Sequence, residues 1–230
     1  MTSPATLRSG LIAALPIAMG YLPIAFSFGI AATRAGLTEA EAVMLSVVIF
    51  AGAAQFLALA LITSGAPLIL SAFTLIAMNL RHLLYGPALL KAAGREASTR
   101  RAWAWAFGLT DEVFGASLGA IARGRRFSEP FMLGLGFGAY AAWVLGTAAG
   151  ALAGGGALQD WPALDAGLGF MLPALFLALL LSILTRPQLP PIAVAAVVCI
   201  GATLVWSSTA GILAGMLAGA LTGLIPRVRP

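Results

Sequence analysis

Charged residues are scarce in this chain of 230 residues, which contains 13 Lys and Arg and 8 Asp and Glu. They make up 9% of the sequence, against 60% hydrophobic residues and a mean hydropathy of +0.99. Apolar stretches of about 20 residues recur along the chain, and this is the length that an α-helix needs to cross a bilayer. The composition excludes an ordinary soluble domain and predicts an all-α integral membrane protein, a polytopic helical bundle.

Cysteine and histidine are also nearly absent. The single cysteine, Cys199, lies in an apolar stretch, so the chain cannot form an intrachain disulfide. The single histidine, His82, is not part of an HExxH zinc motif, and no GxGD motif surrounds Asp111. We therefore expect no metal, no cofactor and no enzymatic activity.

The net charge of +5 is explained by basic residues that orient the protein in the membrane. The basic residues fall in short loops between apolar stretches, where Lys and Arg set the side of the membrane on which a loop lies. We therefore expect these basic residues to lie at the lipid bilayer and not to bind nucleic acid.

The apolar stretches predict one transmembrane permease domain over residues 1–230. The expected spans are residues 10–32, 42–64, 67–88, 130–153, 166–185, 190–206 and 208–225, the first being a span rather than a cleaved signal peptide.

The stretch 102–122 is different, because Asp111 and Glu112 occupy its middle and both of its flanks are basic. We interpret it as a re-entrant segment that enters and leaves on one side. The scheme then has seven crossings, an outside N-terminus, and inside loops around residue 34, at 91–101 and at 123–126. An eight-crossing alternative would place four basic residues outside.

An internal similarity connects Phe50–Leu61 (FAGAAQFLALAL) with Phe170–Leu181 (FMLPALFLALLL). Seven of the twelve positions are identical at an offset of 120 residues. The similarity indicates repeats over 10–122 and 130–225, and with seven crossings the two copies would be inverted, as in many secondary transporters.

Backbone features mark two other spans. Pro16 and Pro23 bracket Gly20 in the first span, which predicts a kink, hinge or break in that helix. Glycines at regular intervals in 130–154 predict close packing of that span against another helix; they are Gly134, Gly138, Gly146, Gly150 and Gly154.

Strongly polar side chains interrupt the stretch 67–88. An arginine near the middle of a bilayer costs about 2.5 to 3.5 kcal/mol, so such residues normally face a protein interior or a cavity. On a helix, Asn79 and His82 share one face, and Arg81 and Tyr85 share a neighbouring face. The alternatives are that Arg81 and His82 reach a headgroup region, and that Asn79 and Gln55 only bond between helices.

Asp111 and Glu112 admit two interpretations. They can pair with Arg81 as a structural ion pair, or they can carry protons. Together with His82 they are the titratable groups expected within the membrane, so we predict that these three residues couple transport to protons.

Four sequence motifs resemble the AzlC family of bacterial branched-chain amino-acid exporters. They are LPIAMGYLPIAFSFG in the first span, FAGAAQF at 50–56, NLRHLLY at 79–85 and TDE at 110–112. The resemblance implies a permease of the bacterial inner membrane that exports leucine, isoleucine, valine and related neutral amino acids such as methionine. It also implies a small membrane partner of the AzlD type.

A zwitterionic substrate needs both of its charges matched within the membrane. Arg81, with Tyr85 on its face, can bind the carboxylate, and Asp111 or Glu112 can accept from the ammonium group. Gln55 and Asn79 can add neutral hydrogen bonds. A channel or passive facilitator, a non-transporting subunit of a complex, and an oligomer of this chain stay open as alternatives.

Overall fold

The computed structural model describes residues 6–94, 97–154 and 184–224, with isolated positions between 161 and 181. The helices are α1 (Leu7–Arg34), α2 (Glu39–Val48), α3 (Gly52–Thr63), α4 (Leu68–Asn79), α5 (His82–Ala93), α6 (Ala102–Phe107), α7 (Asp111–Ala122), α8 (Glu129–Ala153), α9 (Leu189–Val205) and α10 (Ser208–Leu224). A short 3-10 helix, Arg186–Gln188, precedes α9. The chain divides into two compact units, Met1–Leu59 with Ala77–Met171 and Ala60–Ile76 with Leu172–Pro230.

Within the described residues, long apolar helices confirm the predicted all-α membrane protein. Four segments are long and apolar enough to cross a bilayer, namely Leu7–Arg34, Leu68–Ala93, Glu129–Ala153 and Arg186–Val205. The predicted span 208–225 corresponds to α10, which is an apolar helix of 17 residues. Most of the predicted span 166–185, and therefore the second copy of the FLAL repeat, lies outside the described residues.

The helices α1 and α8 pack closely and run parallel. A Cβ atom on Gly10 would lie 2.8 Å from the Leu135 amide nitrogen, and a Cβ on Gly150 would lie 2.8 Å from Phe26 Cα. The beginnings of both helices therefore lie together, and so do their ends. Close helix packing through the glycines of α8 is confirmed.

The predicted span 42–64 is wrong, because this stretch is a hairpin of two helices. Residues 49–51 interrupt it, and Ala42 of α2 and Leu59 of α3 both pack in one cluster with Phe28 and Ala151, near the ends of α1 and α8. The segment thus enters and returns at the same end of the α1/α8 pair. An apolar run of this length has the same composition whether it crosses or folds back, so hydropathy could not separate the two.

Local contacts explain why the hairpin turns at residues 49–51. The carbonyl of Val47, which would otherwise accept within a continuing helix, accepts from the Tyr140 hydroxyl of α8 at 3.0 Å. A Cβ on Gly52 would lie 2.8 Å from the indole of Trp143. The interrupted backbone is therefore buried against protein, where irregular structure at membrane depth is tolerated.

A second hairpin, formed by α6 and α7, lies at the opposite end of the α1/α8 pair. Before α6, the Arg101 amide donates to Glu129 Oε1 of α8 at 2.7 Å. After α7, the Arg125 guanidinium donates to Ser9 Oγ of α1 at 3.3 Å. Both ends of this hairpin thus lie beside the first turns of α1 and α8, which agrees with the re-entrant interpretation of 102–122.

The tips of the two hairpins meet about halfway along α1 and α8. The rings of Phe50 and Phe107, one from each tip, have centroids 6.3 Å apart. Tyr140 of α8 packs edge-on against both, at 5.1 Å and 5.5 Å. The α6/α7 tip also contacts the middle of α1, because the hydroxyl oxygens of Tyr21 and Thr110 are 2.7 Å apart.

This geometry corrects the predicted topology. The scheme with seven crossings placed the N-terminus and the loop 123–126 on opposite sides, but Ser9 contacts Arg125. The same scheme made α1 and α8, which correspond at the offset of 120 residues, antiparallel members of inverted copies, whereas they run parallel. Both errors have one cause, because the scheme counted the α2/α3 hairpin as a full crossing.

The predicted break in the first span is also wrong. The helix α1 continues from Leu7 to Arg34 through Pro16, Gly20 and Pro23. A proline removes one helical hydrogen bond, but the close packing of α1 on α8 holds the chain on both sides of it. A kink or hinge at these residues stays a prediction.

Candidate functional site

The interruptions between helices coincide with three of the sequence motifs. FAGAAQF lies at the α2/α3 tip, NLRH contains residues 80–81 between α4 and α5, and TDE follows the bend between α6 and α7 at 108–110. In the NLRH motif the Leu83 amide donates to the Leu80 carbonyl at 3.1 Å, a tighter turn than an α-helix makes. The motifs therefore place polar side chains where the helical backbone stops.

The central contact of the site joins Arg81 to Asp111. Arg81 directly precedes α5, Asp111 is the first residue of α7, and their nitrogen and carboxylate oxygen Oδ2 are 2.9 Å apart. The Tyr85 hydroxyl donates to the other carboxylate oxygen, Oδ1. The Tyr85 ring stacks on Phe114 of α7 with centroids 4.5 Å apart, which holds the two helices in register.

This ion pair is only partly enclosed by protein. The side chains of Arg81 and Asp111 are 45% and 38% exposed. The position of Asp111 at the beginning of α7 also suits a negative charge, because the helix dipole is positive there.

Glu112 belongs to a more buried group next to this pair. Its Oε2 atom accepts from the Tyr21 hydroxyl at 2.5 Å, and Tyr21 is only 7% exposed. Thr110 caps α7 by accepting from the Val113 amide at 3.3 Å, and its hydroxyl also contacts Tyr21. The Tyr21 ring packs edge-on against Trp143 of α8 at 5.2 Å, which fixes the position of its hydroxyl.

Gln55 lies in a separate, fully buried network. Its amide nitrogen donates to Ser46 Oγ at 2.5 Å, and its amide oxygen accepts from the Trp143 indole at 2.7 Å. Ser46 also bonds to the Thr147 hydroxyl at 2.7 Å. These contacts tie both arms of the α2/α3 hairpin to α8, and the role of Gln55 as a substrate ligand stays a prediction.

Asn79 and His82 flank Arg81 at the end of α4 and the start of α5. The Nδ1 atom of His82 lies 3.2 Å from the Asn79 carbonyl oxygen, and its ring lies 5.2 Å from that of Tyr85. The structure thus groups Arg81, Tyr85 and Asp111, with His82 beside Tyr85.

Several residues of these networks were missed from the sequence. Tyr21 and Thr110 lie inside two of the quoted motifs. The position of Thr110 directly before Asp111 and Glu112 could have identified it as part of the site. Ser46, Trp143 and Thr147 had no such signal, because only the fold brings α2 and α8 together. Within the described ranges, no three His, Cys, Asp or Glu side chains are placed to hold a metal ion.

Comparisons with known proteins agree with the motifs. The profile of the AzlC protein family matches residues 16–156. The inner membrane protein YgaZ of Escherichia coli (strain K12) is 43% identical over 91% of this chain and 86% of its own length. An uncharacterized membrane protein of Archaeoglobus fulgidus is 43% identical over 79% of this chain and 77% of its own length. One from Helicobacter pylori (strain J99) is 29% identical over 72% and 70%, respectively.

No solved structure matches the chain. The family profile covers all three helix interruptions and the residues around the Arg81 and Asp111 pair, so the site described above falls within the region that defines the family. On the profile match and the similarity to YgaZ over most of both sequences, this chain belongs to the AzlC family of membrane proteins.

Proposed function

We propose that this protein exports branched-chain and related neutral amino acids, namely leucine, isoleucine, valine and methionine, across the bacterial cytoplasmic membrane. Export is driven by proton entry and requires a small membrane partner of the AzlD type. The observation that carries the transport proposal is the partly exposed pair of opposite charges, Arg81 and Asp111, at an interruption between helices.

The pair has the two charges that a zwitterionic amino acid needs. Arg81 offers several N–H donors to a carboxylate, and Asp111 accepts from an ammonium group. An amino acid that enters between them replaces one internal ion pair by two new ones, so both protein charges stay matched throughout. The Tyr85 hydroxyl, which already contacts Asp111, becomes a further donor for the substrate carboxylate.

An apolar cavity near the hairpin tips suits the aliphatic side chain. It has a volume of about 230 Å³ and lies between α6 and α8, where Trp105, Phe107, Met132 and Tyr140 contribute to its walls. One methylene group in such a pocket changes the binding free energy by about 1 to 3 kcal/mol. We therefore expect leucine, isoleucine, valine and methionine to compete for the same site.

The contact between the two hairpin tips supports a carrier rather than an open channel. Phe50, Phe107 and Tyr140 form a packed aromatic group between the opposite ends of the α1/α8 pair. A continuous pore would need this group to separate, whereas a carrier opens one side at a time.

The distribution of charge predicts the orientation. The end of the α1/α8 pair with the N-terminus carries Arg8, Arg100, Arg101, Arg123, Arg125 and Arg126. The opposite end, which holds the loop between α1 and α2, has Arg34 together with Glu39 and Glu41. The positive-inside rule therefore places the N-terminal end of α1 in the cytoplasm.

The test is export of leucine from dipeptide-loaded bacterial cells that lack their own exporters. The chain is expressed with and without a cognate AzlD-type partner, and the variants Arg81→Gln and Asp111→Asn are compared with Glu39→Gln, an exposed acidic residue far from the site. We expect partner-dependent export by the wild type and by Glu39→Gln, and at least tenfold slower export by both site variants.

Membrane levels of every variant are measured by immunoblotting, so that loss of protein is not mistaken for loss of transport. Export that persists in both site variants at wild-type levels would show that the ion pair is structural. No export of any neutral amino acid with the partner present would reject the substrate assignment.

A further inference from the structure

We propose that Glu112 is the carboxylate that carries the coupled proton, that Tyr21 and Thr110 position it in both protonation states, and that Asp111 stays charged as the substrate's counterion. This inference rests on the proposed function and assigns different roles to two adjacent acidic residues.

Two hydrogen-bond donors contact Asp111. Arg81 contacts one carboxylate oxygen and the Tyr85 hydroxyl donates to the other. A guanidinium group has only donors and keeps its positive charge, so protonation of Asp111 would leave Arg81 without its counterion. Uptake of a proton here would break the ion pair that the substrate uses.

Glu112 is contacted by a hydroxyl group and not by a guanidinium group. The Tyr21 hydroxyl can donate or accept, and its oxygen lies 2.5 Å from Glu112 Oε2 and 2.7 Å from Thr110 Oγ1. When Glu112 is charged, Thr110 donates to Tyr21 and Tyr21 donates to Glu112. When Glu112 is protonated, it donates to Tyr21, and the Tyr21 hydroxyl turns to Thr110. The same three oxygens stay within hydrogen-bond distance in both states.

The surroundings keep Tyr21 in place during this exchange. Its ring is packed edge-on against Trp143 and Phe50, with centroids 5.2 Å and 6.2 Å away. Protonation of Glu112 therefore changes a charge at the α6/α7 tip without releasing the tip from α1. Among the residues that the structure describes, the titratable and charged groups around Glu112 are Tyr21 of α1, Asp111 of α7 and, beyond Asp111, Arg81, His82 and Tyr85.

Infrared spectroscopy of the full-length protein in liposomes tests this assignment without any transport measurement. The carbonyl stretch of protonated carboxylic acids is followed during a pH titration of the wild type, Glu112→Gln and Asp111→Asn. We expect the difference spectrum between wild type and Glu112→Gln to contain one band that titrates, and the difference spectrum for Asp111→Asn to contain none over the same pH range. A titrating band in the Asp111→Asn difference, or none in the Glu112→Gln difference, would overturn the proposal.

Two tyrosine variants test the role of Tyr21 in positioning Glu112. They can be measured even if Glu112→Gln does not fold. Tyr21→Phe removes the hydroxyl that contacts Glu112, and Tyr85→Phe is the matched control that removes the one on Asp111. We expect Tyr21→Phe to change the pH at which the band appears and Tyr85→Phe to leave it unchanged. The reverse pattern, or no change in either variant, would contradict the role of Tyr21.

A transport measurement connects the proton to the substrate. In liposomes that contain the protein together with its AzlD-type partner, we expect the wild type to exchange labelled for unlabelled leucine and to respond to a pH gradient. We expect Glu112→Gln to lose the response to the gradient. Asp111→Asn is expected to lose exchange. Gradient-driven leucine transport by Glu112→Gln would overturn the proton assignment and leave the proposed function standing. A wild type that moves no leucine with the partner present would refute the proposed function, and the infrared assignment would then be judged by its own result.

Discussion

The buried amide of Gln55 provides the sharpest test of the hairpin architecture. Its side chain is 0% exposed, its oxygen accepts from the Trp143 indole at 2.7 Å, and its nitrogen donates to Ser46 at 2.5 Å. Gln55→Leu keeps a similar volume and removes both bonds. Ser46 keeps its bond to Thr147, so the indole N–H of Trp143 is the group that loses its acceptor.

The expected cost follows from that single unpaired donor. A buried donor left without a partner costs about 1 to 3 kcal/mol. Hydrogen bonds between membrane helices contribute less on average, about 0.6 kcal/mol with a maximum near 1.7. We therefore expect Gln55→Leu to lower the free energy of unfolding by about 1 to 2 kcal/mol, or the melting temperature by roughly 2 to 8 °C for a chain of this size.

A double-mutant cycle isolates the bond from the change in packing. Trp143→Phe removes the donor, but it also removes the indole that lies against Gly52. That packing loss occurs in both backgrounds and cancels, so the cycle should give a coupling of about 1 kcal/mol between positions 55 and 143. Melting of the purified wild type, both single variants and the double variant in detergent micelles measures it.

Additive effects of the two substitutions would refute the hydrogen bond between Gln55 and Trp143. A Gln55→Leu variant that melts like the wild type but binds leucine more weakly would instead identify Gln55 as a substrate ligand. The two roles of Gln55 are thus separated by one set of proteins.

Two other predictions concern helix packing and topology. Gly150→Ala should reduce the yield of folded protein in size-exclusion chromatography, because the new Cβ would meet the Phe26 backbone. The control Gly20→Ala should behave like the wild type, because its Cβ meets nothing within 4 Å. Equal yields of the two variants would contradict the α1/α8 contact. In a Cys199→Ser background, a cysteine at Ser98 should be labelled from the cytoplasm and one at position 40 from outside, and labelling of both from one side would reject the orientation.

The long helices could be predicted from the sequence, because their length and apolar composition suffice. The close packing of the glycines in α8 was predicted for the same kind of reason, since small residues at regular intervals serve little else in a membrane helix. The α2/α3 hairpin could not be predicted in this way. Its turn depends on Tyr140 and Trp143, which lie about 90 residues further along the chain.

The candidate site was partly predictable. A charged residue in an apolar stretch needs a partner, and Arg81, Asp111 and Glu112 were the charged residues expected at membrane depth. The structure joins Arg81 to Asp111, and whether either residue binds substrate stays a prediction. The division between Asp111 and Glu112 was not predictable, because adjacent residues on a helix point in different directions and only the fold supplies Tyr85 to one and Tyr21 to the other.

The coincidence of motifs with helix interruptions has a physical reason. Where a helix stops inside a membrane, its backbone groups lose their helical partners and must be satisfied by side chains, since no bulk water is present. Thr110 does this for α7 by accepting from the Val113 amide, and Tyr140 does it for α2 by donating to the Val47 carbonyl. On the proposed function, the polar residues that allow these interruptions are also the groups that a polar substrate or a proton would meet halfway along the α1/α8 pair. A substitution such as Thr110→Val should for this reason weaken the α6/α7 tip and the contact with Tyr21 together, so structural and transport effects at these motifs have to be measured on the same purified variants.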